Sequence, residues 1–141
     1  MGLSSFLKEN ALPVAHETMV VSKRFVDEKG QPEAWEIRAI SGTEDEAIRK
    51  SCTKRVQIPG KRGQYTQETD FNAYVAKLCT ACTVYPNLND KELQDNYGVM
   101  GAEELLKAML LSGEYTAYAA KVQEVCGFDT TLQDEVDEAK N

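Results

Sequence analysis

Apolar residues in this chain change their spacing near residue 40, and that change divides the predicted architecture in two. Before it, Thr18-Met-Val-Val-Ser-Lys-Arg-Phe-Val26 is rich in β-forming residues, and Trp35-Glu-Ile-Arg-Ala39 alternates apolar with charged at period two. Between them lies Asp27-Glu-Lys-Gly30, where Gly30 can take the left-handed conformation that such a loop needs. The pattern predicts a β-hairpin over 17–40, with Trp35, Ile37 and Ala39 facing the core.

After residue 40 the spacing turns helical. Ser41-Gly-Thr-Glu44 reads as a capping box: the Ser hydroxyl accepts a backbone N–H while Glu44 reaches back. A helix over 42–53 follows, with Ala47 and Ile48 inward. Residues 54–68, with Pro59, Gly60 and Gly63 as turn signals, read as a loop. The next helix covers 69–84, where Phe71, Val75, Leu78 and Cys82 share a face beside Tyr74. Asn89-Asp-Lys-Glu92 starts a short helix that ends near Gly98. Leu105, Leu106, Met109 and Leu110 stripe another, which stops before Ser112. Ser112 then caps a helix whose inward face is Tyr115, Tyr118, Ala119, Val122 and Val125, ended by Gly127. A last acidic helix is expected over 131–139, with Leu132 and Val136 one turn apart.

Residues 1–16 read as an N-terminal arm, in which Leu3, Phe6 and Leu7 cluster before Pro13 breaks any helix. Such an arm either folds back on its own domain or reaches a partner. Residues 17–141 then form a single α+β domain, mostly α: the hairpin 17–40, followed by a compact bundle of about five or six short helices in 41–141.

Composition narrows the function classes. The 141 residues are 42% hydrophobic and 28% charged, which describes a folded chain with a wet surface. The net charge of −7 argues against general binding to nucleic acid or an anionic membrane, because phosphate contact is driven by Lys and Arg. No leader is expected either: Met1 to Asn10 lacks a basic start followed by a long apolar run, and Phe6 stands where myristoylation wants Ser or Thr. No apolar run approaches the roughly 18 residues that cross a bilayer.

Chemistry-bearing patterns are sparse. The lone histidine is His16, in the arm. Cys79-Thr-Ala-Cys82 is formally a CxxC, but it lies more than two turns into a predicted helix, away from the dipole that lowers thiol pKa values at helix starts. Cys52 and Cys126 stand alone in sequence, so no second ligand pair completes a zinc ribbon. Reduced, mostly buried cysteines are the expectation. Gly60-Lys-Arg-Gly63 lacks the Lys-Ser/Thr ending of a phosphate loop. Lys54, Arg55, Lys61 and Arg62 surround Val56-Gln-Ile-Pro59; they form either a solvated loop or a patch that docks electrostatically on an acidic partner. The acidic run Asp134-Glu-Val-Asp-Glu138 reads as the wet face of a helix, and no carboxylate pair is set in an apolar cleft. Neither a cofactor, a metal nor a reaction is predicted, and a non-enzymatic protein follows.

Ordered segments nevertheless carry a resemblance. Val21-Ser-Lys-Arg-Phe25 with Trp35-Glu-Ile-Arg38, then Arg49-Lys-Ser-Cys-Thr-Lys-Arg55 and Pro59-Gly-Lys-Arg-Gly-Gln-Tyr65, resemble the XkdN-like phage tail assembly chaperones of Gram-positive phages and prophages. So do Tyr85-Pro-Asn-Leu-Asn-Asp90, Leu93-Gln-Asp-Asn-Tyr-Gly98 and Glu103-Glu-Leu-Leu106. The similarity runs over essentially the whole chain.

The resemblance implies a non-catalytic role in tail morphogenesis, in the cytoplasm of the bacterial host. Its partners would be the tape measure protein and tail tube subunits, and it would be absent from the mature virion. It brings no catalytic residue with it. A tape measure protein is long, helical and apolar along its seams, and an acidic helical protein can cover those seams and keep the complex soluble. The expected contact residues are Leu3, Phe6 and Leu7 in the arm, Leu106 and Leu110 on a leftover helix stripe, and Lys61 and Arg62. The family also implies a longer product made by a −1 frameshift, and Ala139-Lys-Asn141 can be encoded by a slippery heptamer. The alternative is a head–tail connector or neck protein that stays in the virion.

Overall fold

In the computed structural model, which describes residues 2–128, the core is assembled around one short strand and three helices. Strand β2 (Trp35–Ile37) alternates as predicted, burying Trp35 and Ile37 while Glu36 stays partly exposed. It pairs antiparallel with β1 (Glu17–Met19), Met19 opposite Trp35 and Glu17 opposite Ile37. The expected hairpin over 17–40 is therefore present, but its strands are much shorter. The stretch from Val20 to Ala34 is irregular, except for one bridge between Val26 and Pro32. Arg24 explains part of this: its guanidinium leaves the sheet to donate to the Met109 carbonyl at 2.7 Å and to Glu114 at 3.4 Å.

Helix α1 (Gly42–Ser51) begins as the capping pattern predicts, with Ser41 Oγ accepting from the Glu44 N–H at 3.3 Å. A hydrogen bond from Arg38, with help from the Ser41 N–H, holds the Glu44 carboxyl below its usual range. Ile48 faces the core, whereas Ala47 faces solvent. The inward position goes to Asp45, which accepts from the Tyr74 hydroxyl and from Arg49 Nε at 3.1 Å, while the Arg49 guanidinium lies 4.4 Å from the Tyr74 ring centroid.

Residues 54–68 are not a loop. They form a second hairpin of strands β3 (Thr53–Gln57) and β4 (Tyr65–Thr69), antiparallel with Thr53 opposite Thr69 and Gln57 opposite Tyr65. Gly60 and Gly63, at φ 75° and 79°, turn its tip. Polar side chains on both faces hid the strands, because neither face is buried enough to impose an apolar alternation.

Helix α2 (Phe71–Cys82) is capped by Asp70, whose carboxylate accepts from the Ala73 N–H at 3.1 Å. It buries Tyr74, Ala76, Leu78, Cys79 and Cys82, while Phe71 projects outward. The helix stops two residues earlier than its stripe suggests. Thr83-Val-Tyr85 instead forms β5, the third strand of the β1–β2–β5 sheet. β-branched Thr83 and Val84 suit a strand, and Thr83 Oγ1 donates to the Cys79 carbonyl at 2.6 Å, occupying a helix-end acceptor.

Asp90 caps α3 (Lys91–Tyr97), and Gly98, at φ 69°, ends it in the left-handed conformation. Helix α4 (Ala102–Met109) buries Leu105, Leu106 and Met109. Helix α5 (Ser112–Val125) starts one residue differently from expectation. Leu111, not Ser112, is the cap position, and its N–H is held by Glu114 Oε1 at 2.8 Å. On α5, Tyr118, Ala119, Val122 and Val125 are buried as the spacing predicts, and Tyr115 is half-buried. Trp35 and Tyr118 meet edge to face at 5.1 Å, and the Tyr118 hydroxyl reaches Thr83 Oγ1 at 2.6 Å, so sheet and bundle share one core. The architecture is the mostly helical α+β arrangement that the sequence implies. The acidic helix expected over 131–139 lies outside the described residues.

Candidate partner-binding surfaces

Three features present surface that the fold itself does not use. The first is the arm. Every residue from Gly2 to Thr18 is exposed, including Leu3 at 77%, Phe6 at 81%, Leu12 at 91% and Val14 at 73%. A short 3-10 turn over Ser4–Phe6 is closed locally by Leu7 N–H on the Ser4 carbonyl and by Asn10 Nδ2 on the same oxygen at 2.7 Å. Leu3 and Leu7 flank this turn and Phe6 ends it. Along this stretch the side chains lie in water. Each large apolar side chain left in water represents about 1.5–3 kcal/mol of burial free energy that the described fold does not use.

The second is the β3–β4 hairpin, which pairs with no other strand. Lys54, Arg55, Lys61 and Arg62 are all exposed on it, against the single acid Glu68. The Arg55 guanidinium stacks 4.0 Å from the Tyr65 ring centroid. Its base is held by Thr53 Oγ1 on Thr69 Oγ1 at 2.8 Å and by Asp70 N–H on the Cys52 carbonyl. A basic finger therefore projects from an acidic chain.

The third was not foreseen. A groove of about 630 Å³ runs between α2, α4 and α5, lined by Val75, Lys107, Tyr115, Thr116, Ala119 and Ala120 among others. The small Thr116, Ala119 and Ala120 side chains on α5 leave room for it, and burial pushes the Tyr115 phenol up to about 12. Only the Thr116, Ala119, Ala120 run in the sequence hints at it.

The other expected contact residues lie elsewhere. Leu106 is 0% exposed and Leu110 is 7%, so the stripe on α4 is consumed by the core and offers nothing to a partner. Leu111, the next residue, is the exposed one at this corner. His16 is exposed, with Nδ1 3.3 Å from the Glu36 carboxylate. Cys79 and Cys82 are buried and Cys52 is half-buried, but Cys126 is not isolated: it meets Cys82. Among the described residues, no group of three or more His, Cys, Asp or Glu is placed to hold a metal, and no helix is long and apolar enough to cross a membrane.

Fold and surfaces together define a small α+β protein, acidic overall, that presents an apolar arm and a basic finger outward. The chain belongs to the phage XkdN-like tail assembly chaperone family, whose model matches residues 3–140. Two Bacillus subtilis (strain 168) proteins resemble it over 140 residues, which is 99% of this chain and 93% of each relative. They are the uncharacterized protein YqbN, 32% identical, and the phage-like element PBSX protein XkdN, 29% identical. A crystal structure of the protein YqbN superposes with a TM-score of 0.79 at 28% identity, covering 92% of this chain and 98% of that one.

Proposed function

We propose that this protein is a non-catalytic tail assembly chaperone that covers apolar helical segments of the tape measure protein, and engages tail tube subunits, until the tube closes around them. The observation that carries this reading is the arm: Leu3, Phe6, Leu7, Leu12 and Val14 stand in water on a chain of net charge −7. An exposed apolar segment tethered to an acidic domain suits a client that would otherwise aggregate, because the segment binds the seam and the charge keeps the complex dispersed. In this reading residues 1–16 are the working arm and 17–141 the domain that carries it. The α2/α4/α5 groove receives a client helix as a second contact, while Lys61 and Arg62 steer acidic stretches of the client toward the arm.

The protein then acts in the cytoplasm of the host and leaves before the virion matures. Co-purification of full-length tape measure protein with this chain, together with its absence from the mass spectrum of purified particles, is the expected result. Recovery in particles at a fixed ratio to tail proteins would instead identify a connector or neck component. A longer frameshifted form is a further expected partner. Its slip site would fall at Ala139-Lys-Asn141, outside the described residues, and codons there that interrupt the run of A would remove it.

A further inference from the structure

Helix α2 ends at Cys82 and helix α5 is followed by Cys126, and the fold brings these two residues, far apart in sequence, to an Sγ–Sγ distance of 3.5 Å. The two thiols differ in environment. Cys82 is fully buried, whereas Cys126 is partly exposed at the end of its helix. Cys126 borders a small cleft of about 120 Å³, lined also by Ile40, Ser41, Asp45, Leu78 and Phe128. A water's share of liquid volume is about 30 Å³, so the cleft has room for a molecule the size of a peroxide.

The groups around Cys126 favour its thiolate. The Cys82 and Cys126 sulfurs share one hydrogen bond at 3.5 Å, and beside Cys126 the Ile40 backbone and the Arg38 charge favour a thiolate while burial and Asp45 oppose it. Together these hold Cys126 below the usual thiol range, while the same hydrogen bond, with burial and the neighbouring Cys79, holds Cys82 above it. A partly exposed cysteine bordering a cleft, with a buried cysteine 3.5 Å away, is the arrangement of a nucleophile and its resolving group.

We propose that Cys126 and Cys82 form an oxidation site, at which hydrogen peroxide or another hydroperoxide converts the two thiols to an intramolecular disulfide. The Cys126 sulfur attacks one peroxide oxygen, the O–O bond breaks, and the departing hydroxide takes a proton from solvent, leaving a sulfenic acid. The Cys82 sulfur then attacks the Cys126 sulfur: an S–S bond forms, the S–O bond breaks, and the hydroxyl leaves as water with the Cys82 proton. Two thiols are oxidised and one peroxide is reduced to two waters. Closing 3.5 Å to the roughly 2.05 Å of a disulfide is a small displacement for Cys126, which sits past the last residue of α5. The bond fastens the end of α5 to the end of α2, the two helices that flank the groove.

The test treats the reduced full-length protein with increasing hydrogen peroxide and follows intact mass and peptide maps. The expected product has lost two of its four thiols and about 2 Da, the two hydrogens, with Cys82 and Cys126 peptides joined and released again by dithiothreitol. Cys126→Ser should abolish the crosslink, and Cys82→Ser should leave Cys126 accumulating roughly 16 or 32 Da of added oxygen. Should a variant fail to fold, the wild-type map still decides. Oxidation of Cys52 ahead of Cys126, or Cys126 passing to its sulfinic acid while Cys82 stays free, overturns the proposal.

Discussion

The body of the molecule and its margins follow opposite rules. In the body, Trp35, Tyr74, Leu105, Leu106, Tyr118 and Val122 are at most 2% exposed, and each polar group carried inward has a partner, as Tyr74 has Asp45 and Tyr118 has Thr83. In the arm and the β3–β4 hairpin almost every side chain is in water, whether apolar, as Phe6, or basic, as Arg62. Stability resides in the first region. The second should cost the fold little to change. That contrast separates residues that hold the fold together from residues that the fold leaves in water.

The largest effects should come from the body. Trp35→Ala removes an indole packed edge-on against Tyr118 and should cost about 3–5 kcal/mol, and Leu106→Ala about 2–5 kcal/mol, read from urea unfolding. A Leu106→Ala variant as stable as the parent would return that residue to the surface and break the comparison. Removing helix caps by Asp70→Ala or Asp90→Ala should cost about 0.5–2 kcal/mol each, visible as lower denaturation midpoints with unchanged slope. Charge reversal at the hairpin tip, Lys61→Glu with Arg62→Glu, should leave unfolding within about 0.5 kcal/mol of the parent. The same change should slow client capture at low ionic strength and have much less effect at high salt. Smallest of all for stability is the triple change of Leu3, Phe6 and Leu7 to Ser, again within about 0.5 kcal/mol, because Leu3 and Phe6 stay mostly in water and Leu7 is about half exposed.

Sequence reasoning was effective where the fold is locally determined. Asn89-Asp-Lys-Glu92 and Gly98 mark the two ends of α3, although its cap proves to be Asp90, and the Trp35-Glu-Ile alternation marks the central strand because one of its faces is buried. It was less effective where tertiary context decides. Thr83-Val-Tyr85 continues a helical stripe in sequence, and only pairing with β2 makes it a strand. The β3–β4 hairpin is polar on both faces, although Val56 and Ile58 two apart, followed by Tyr65-Thr-Gln-Glu-Thr69, offered a usable signal. Leu106 and Leu110 show the same limit at a site: a stripe identifies an apolar face without saying whether the chain itself will cover it. Spacing is equally silent on Cys82 and Cys126, which meet only because α2 and α5 pack together. For the arm, the sequence left folding back and reaching a partner both open, and what the structure adds is the exposure of Leu3, Phe6 and Leu7.

The account rests on the arm as the surface that holds the client, and co-expression with the tape measure protein tests it most directly. With the wild-type chain, the tape measure protein should remain in the soluble fraction; with the equally stable variant in which Leu3, Phe6 and Leu7 are Ser, it should pellet. Equal solubility with either chain, or with neither, would contradict the claim.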